Sequence, residues 1–102
     1  MSTLHTVNKS PFSHATLMSC LEVCSHTDCI LLLEDGVFGA LTSSPCAEQL
    51  ALTMQQGVKV YALSGDVNAR GLTAKLNPGI HVTDYNGFVQ LSIECRCVQS
   101  WY

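Results

Sequence analysis

The sequence predicts a single α/β domain of three layers, with helices on both faces of a small, mainly parallel sheet of about four strands. Three observations carry this reading. Runs of strand character alternate with runs of helix character along all 102 residues, and strand–helix–strand succession implies parallel pairing with right-handed crossovers. Cys29-Ile-Leu-Leu-Leu33 is a continuous apolar run without alternation, the mark of a strand covered on both faces. The length leaves room for one domain, and no internal repeat, low-complexity tract or linker divides residues 1–102.

The elements follow in order. Thr3–Val7 is a short strand, closed by the turn chemistry of Asn8, Ser10 and Pro11. Ser13 to Cys24 reads as a helix with Leu17, Leu21 and Cys24 on its buried stripe. The apolar strand 29–33 comes next, and Glu34-Asp35-Gly36 turns the chain. A second long helix is capped by Ser44, carries Pro45 in its first turn and stops at Gly57. Lys59–Leu63 is the third strand, Val67–Arg70 a short helix ended by Gly71, and Ile80–Thr83 a fourth strand. The last segment reads two ways. Val89, Leu91, Ile93, Cys95 and Cys97 alternate with polar residues as a strand does. As a helix capped by Asp84, the same stretch sets Tyr85, Phe88, Leu91 and Cys95 on one side.

Composition narrows the function. The chain is 47% hydrophobic and 13% charged, about half the usual charged fraction of roughly 25%. A domain this small hides about two-thirds of its surface at best, so the apolar surplus predicts surface reserved for partners. The net charge is −3 and Lys9, Lys59, Arg70, Lys75 and Arg96 are scattered, which argues against direct nucleic-acid binding. No apolar run reaches membrane-spanning length, and the N-terminus lacks signal-peptide character. A cytosolic chain is therefore expected, with Cys20, Cys24, Cys29, Cys46, Cys95 and Cys97 as thiols.

The residues that bear chemistry are few. No G-x-G-x-x-G, Walker loop or G-x-S-x-G elbow is present. Glu34-Asp35 reads as a turn rather than an acid–base pair, because adjacent side chains diverge. Cys20, Cys24, His26 and Cys29 are close in sequence, with Cys95 and Cys97 far away, but they lack the two well-spaced ligand pairs of a structural zinc site. His5 reads as a satisfied core histidine. Arg70 is placed to complement a helix C-terminus. Cys20 sits at the margin of its helix's apolar stripe, where a thiol lines a crevice and stays partly accessible, and Lys9 or His14 would be the local cations to activate it. An inert packing role for Cys20 stands beside that reading.

Several short motifs then resemble the TusB/DsrH family in order and spacing: Leu4-His5-Thr6 with Ser10-Pro11, Leu31 to Val37, Val60-Tyr61-Ala62-Leu63, Asp66, Ala69-Arg70-Gly71-Leu72, Asp84-Tyr85, Phe88-Val89 and Trp101. The resemblance implies a DsrE-like α/β/α fold and a helix to about Cys95. It also implies assembly with TusC/DsrF-like and TusD/DsrE-like subunits into a heterohexamer. Such a complex passes sulfur along persulfides toward 2-thiolation of the tRNA wobble uridine or, in the Dsr branch, serves dissimilatory sulfur oxidation.

The resemblance implies a subunit that is not a complete enzyme alone, with the main sulfur-carrying cysteine on the TusD/DsrE-like partner. Cys20 is the candidate auxiliary sulfur acceptor; Tyr85, Phe88 and Trp101 are the candidate interface residues. No cofactor is expected, because persulfide transfer needs only a thiolate and a partner's persulfide. The rival from another class is a stand-alone small-molecule binding module.

Overall fold

Five strands, β1 (Thr3–Val7), β2 (Cys29–Leu32), β3 (Lys59–Leu63), β4 (His81–Thr83) and β5 (Cys97–Trp101), form one parallel sheet in the order β4-β3-β2-β1-β5. The computed structural model describes residues 2–102. The first three strands begin where the sequence placed them. The fifth is an addition to the four expected: the last segment is a helix to Glu94 and then a strand from Cys97. The helix reading of that segment holds, and the strand reading does not: Val89, Leu91 and Ile93 lie in the helix, and the strand that forms begins only at Cys97, the last residue of the alternation.

Four α-helices connect the strands: α1 (Thr16–Val23), α2 (Ala47–Gln55), α3 (Ser64–Ala69) and α4 (Tyr85–Glu94). α1 starts later than Ser13 because Ser10 holds a turn instead. Its carbonyl accepts the N–H groups of Ser13 and His14 at 3.2 and 3.0 Å, and its hydroxyl accepts that of Phe12 at 3.2 Å. Ser44 caps the approach to α2, accepting the Cys46 N–H at 3.1 Å, and Gly57 turns the chain after it with φ of +110°. Asp84 caps α4 by accepting the Gly87 N–H at 2.9 Å.

The two faces of the sheet are unequally covered. Side chains alternate across each strand, so Val7, Ile30, Leu32, Val60 and Ala62 face one way and pack with Leu17, Cys20 and Leu21 of α1, Leu50 of α2 and Val67 of α3. Burying each of the larger aliphatic side chains there contributes about 2 kcal/mol. Leu4 and Leu31 face the other way, where Leu91 of α4 completes a much smaller buried cluster with Phe88, Tyr61, Cys29 and Cys95 at its margin. The helical cover of that face is one helix thick and one helix wide. Among the described residues, no helix is long and apolar enough to cross a membrane.

Candidate functional site

In a parallel sheet the loops at the carboxyl edge are the usual place for a site. That edge here carries an ion-pair cluster: Arg70 donates through Nε and Nη2 to Asp35 Oδ1 at 3.2 and 2.9 Å. Its Nη1 donates to the Asp66 carbonyl of α3 at 3.2 Å, four residues back from Arg70. Asp66 also accepts the Glu34 N–H at 2.7 Å. Asp35 is largely exposed, and such a cluster ties loops together rather than performing chemistry. The Glu34-Asp35-Gly36 segment forms the start of a 3-10 helix, Glu34–Ala40, in keeping with a turn.

The thiol chemistry lies elsewhere, under α1 toward the amino edge. Helix α1 runs back along the sheet and ends at Val23, and Cys24 is its cap, with backbone already extended at ψ of 135°. One turn earlier, Cys20 points inward and is fully enclosed (0% exposed). Their sulfurs lie 3.8 Å apart. This reverses the expected roles on the helix. Cys24, assigned to the buried stripe, is only half-buried because the helix ends there; Cys20, assigned to its accessible margin, is sealed.

His5 of β1 completes the group. The donor atoms of His5, Cys20 and Cys24 all lie within 4.8 Å of one another. Both ring nitrogens of His5 are engaged. Trp101 Nε1–H donates to Nδ1 at 3.0 Å, so Nδ1 carries the lone pair and Nε2–H faces Asp28 Oδ2 at 2.9 Å. His5 is thus the satisfied core histidine that the sequence suggested. A metal ion held by this trio would have to displace Trp101 or Asp28 from the ring, so the residues do not fit an ion as they stand. What remains free is the pair of thiols.

The electrostatics divide the labour between them. Cys20 is pushed well above the ordinary thiol range, first by its hydrogen bond with Cys24 and then by burial. It therefore stays protonated and donates its S–H. Cys24 is lowered by that same hydrogen bond, against burial and the nearby Asp28 charge. The charged neighbour is Asp28, an anion, rather than the Lys9 or His14 that the sequence offered. The arrangement leaves Cys24 the less buried thiol of the pair and the one whose thiolate the Cys20 S–H favours. Asp28 gave no signal in the sequence, because its contacts to His5 and Thr3 span 23 and 25 residues.

The other thiols are free as well. Cys29 and Cys95 meet beneath α4, where burial, then the neighbouring Cys95, pushes Cys29 up to about 11. Of the candidate interface residues, Tyr85 is 67% exposed and meets Phe88 edge-to-face at 5.9 Å. Phe88 is half-buried, and Trp101 turns its indole inward onto His5. A shallow hollow lies between α1 and α2, lined by Met18, Pro45, Glu48, Gln49 and Leu52.

Comparison with known proteins now decides the family. The model of the family described as "DsrH like protein" matches residues 9–98. The chain belongs to the DsrH-like family. Among its relatives, Protein TusB of Sodalis glossinidius is 39% identical over 98 residues, 96% of this chain and 99% of that one. Protein TusB of Escherichia coli K12 is 36% identical over the same shares. Among solved structures, the ychN protein of E. coli superposes with a TM-score of 0.84 at 17% identity, over 98% of this chain and 99% of that one. MTH1491 of Methanobacterium thermoautotrophicum, a protein of unknown function, superposes at 0.75 and 18% over 97% of each chain. These structural likenesses establish the fold of this DsrH-like chain, as the sequence motifs implied.

Proposed function

We propose that this chain is a subunit of a cytoplasmic sulfur-relay complex that delivers persulfide sulfur for 2-thiolation of the tRNA wobble uridine. It works in a heterohexamer with TusC/DsrF-like and TusD/DsrE-like subunits and is not a complete enzyme alone. The observation that carries this is the 36–39% identity to proteins named TusB over 96% of the chain. The match to a family described as DsrH like also suits a sulfur-oxidation complex. The TusB relatives favour the thiolation reading.

The geometry supports a place for this subunit in such a relay. Persulfide transfer requires a thiolate that can reach a partner's Cys–S–SH. Cys24 attacks the outer sulfur, its S–S bond forms as the partner's breaks, and the partner leaves as a thiolate. Cys24 is the half-buried thiol with the lowered pKa. The role expected of Cys20 as an auxiliary acceptor belongs to the pair, with Cys24 meeting the donor first. The thinly covered α4 face supplies apolar surface for sister subunits, as obligate interfaces do.

Native pull-down of the tagged chain, with mass spectrometry for partners and sulfur adducts, tests this reading. The expected result is two homologous subunits in equal amounts, together with a chain-dependent level of thiolated wobble uridine in tRNA. A monodisperse monomer with unchanged tRNA thiolation on gene deletion would overturn it.

A further inference from the structure

The Cys20–Cys24 pair has a property that a single acceptor thiol lacks. A sulfane sulfur bound to Cys24 would sit on an atom 3.8 Å from a second cysteine sulfur, close to the roughly 3–3.5 Å of a near-attack arrangement. We propose that Cys20 is a resolving thiol, which discharges sulfur stranded on Cys24 as hydrogen sulfide and leaves an intrachain Cys20–Cys24 disulfide. This rests on the relay reading only in that Cys24 must first accept sulfane sulfur.

The step balances by itself. The electron pair on Cys20 Sγ forms a bond to Cys24 Sγ, and the bond from Cys24 Sγ to the terminal sulfur breaks. The terminal sulfur departs as hydrosulfide and takes up the proton that Cys20 gave up. The two cysteine sulfurs end at the disulfide level, and the sulfane sulfur is reduced to sulfide. The persulfide is itself the oxidant.

Two features set how the discharge competes with relay. Cys20 is enclosed and its thiol is held protonated, so its attack is slower than that of an exposed thiolate. A docked acceptor therefore wins when one is present, and discharge empties the site when none is. The second feature is strain. Side chains one helical turn apart have Cβ atoms about 5–6 Å from each other, whereas a disulfide wants roughly 4 Å. The turn must tighten, and it lies where Cys24 already leaves the helix and the exposed residues 25–27 follow. A strained disulfide is readily reopened by a thiol reductant. The discharge is thus reversible for the protein though not for the sulfur.

The test loads the pre-reduced full chain, with any co-purified partners, using glutathione persulfide. Released sulfide is measured, and the 20–24 peptide is mapped without reduction. The expected result is about one equivalent of sulfide per chain and a peptide lighter by about 2 Da. Cys20→Ser should cut release at least tenfold and leave Cys24 heavier by about 32 Da. Cys24→Ser should abolish both, with circular dichroism confirming the fold of each variant. Wild-type chain that keeps its persulfide, or releases sulfide without the disulfide, overturns the discharge and leaves the relay reading standing. A folded chain that takes no sulfur at all overturns the discharge and the acceptor role of Cys24, while membership of the relay complex is decided by the pull-down.

Discussion

The imidazole of His5 and the carboxylate of Asp28 meet at 2.9 Å with their side chains 7% and 8% exposed, and this contact braces the floor of the thiol site. Asp28 also accepts the backbone N–H groups of Thr3 and Ser25, each at 3.0 Å. His5 accepts from Trp101 on its far side at 3.0 Å. One ring and one carboxylate therefore join β1, the loop after α1, and β5. A buried polar network of this kind is stabilising only while every member is satisfied. It also fixes the position of the loop that leaves Cys24.

Acid should unfold the chain through Asp28. Burial alone would raise its pKa, but the hydrogen bonds from His5 and the N–H groups of Ser25 and Thr3 outweigh that and hold it below its ordinary 3.8. A carboxyl group with a depressed folded-state pKa contributes stability that is fully present above its unfolded value and lost as pH falls through the folded one. Urea midpoints should thus be level, on this account, down to about pH 5 and fall below about pH 4. Asp28→Asn should cost about 2 kcal/mol at pH 7 and flatten the acid slope. A variant that keeps the wild-type slope would show that another group governs it.

Gly36→Ala should be among the most damaging single-atom additions. A Cβ at Gly36 would run into the carbonyl oxygen of Val7, with the carbonyl carbon 2.8 Å away. That oxygen already accepts the Leu33 N–H at 3.1 Å, so the clash is with fixed backbone. The expected cost is 3 kcal/mol or more, on the order of the largest single-residue effects. It should be seen as a lower denaturation midpoint at unchanged m-value.

The sheet was legible in the sequence where strands stand between turn residues. Thr3–Val7 and Lys59–Leu63 are bounded in the structure as they are by Asn8 and Gly57 in the chain. β5 was hidden because no turn residue separates it from α4: an apolar alternation from Val89 to Cys97 runs through the helix end into the strand. The thiol site was half legible. Cys20 stands out by its place on the helix wheel, but where α1 ends decides which cysteine is sealed, and helix ends are read least well from sequence. Its surroundings were not legible, since parallel pairing sets Val7 beside Trp101 and so brings Trp101 to His5 across 96 residues.

The α4 face should govern association rather than folding. Tyr85, Val89 and Ile93 recur at intervals of four residues, 67%, 41% and 72% exposed, and so form a stripe along the helix that the chain's own core leaves uncovered. Tyr85→Ser with Ile93→Ser should change the chain's stability by less than about 1 kcal/mol, as exposed substitutions do. Light scattering after size-exclusion should nonetheless show loss of the co-purified subunits. Retention of a full complex by the double variant would move the interface elsewhere.

Alkylation kinetics test the division of labour between the thiols. If the Cys20 S–H lowers Cys24, iodoacetamide at pH 7 should modify Cys24 well before Cys20, and the pH–rate midpoint for Cys24 should lie below the ordinary 9.0. Cys20→Ala removes the donor, so that midpoint should rise and the rate at pH 7 should fall several-fold, one pKa unit being about tenfold in thiolate. The midpoint separates activation from access, because a change in access alters the rate without moving the midpoint. A raised midpoint would show the lost hydrogen bond at work, whereas an unchanged one would mean that the 3.8 Å contact leaves Cys24 unactivated.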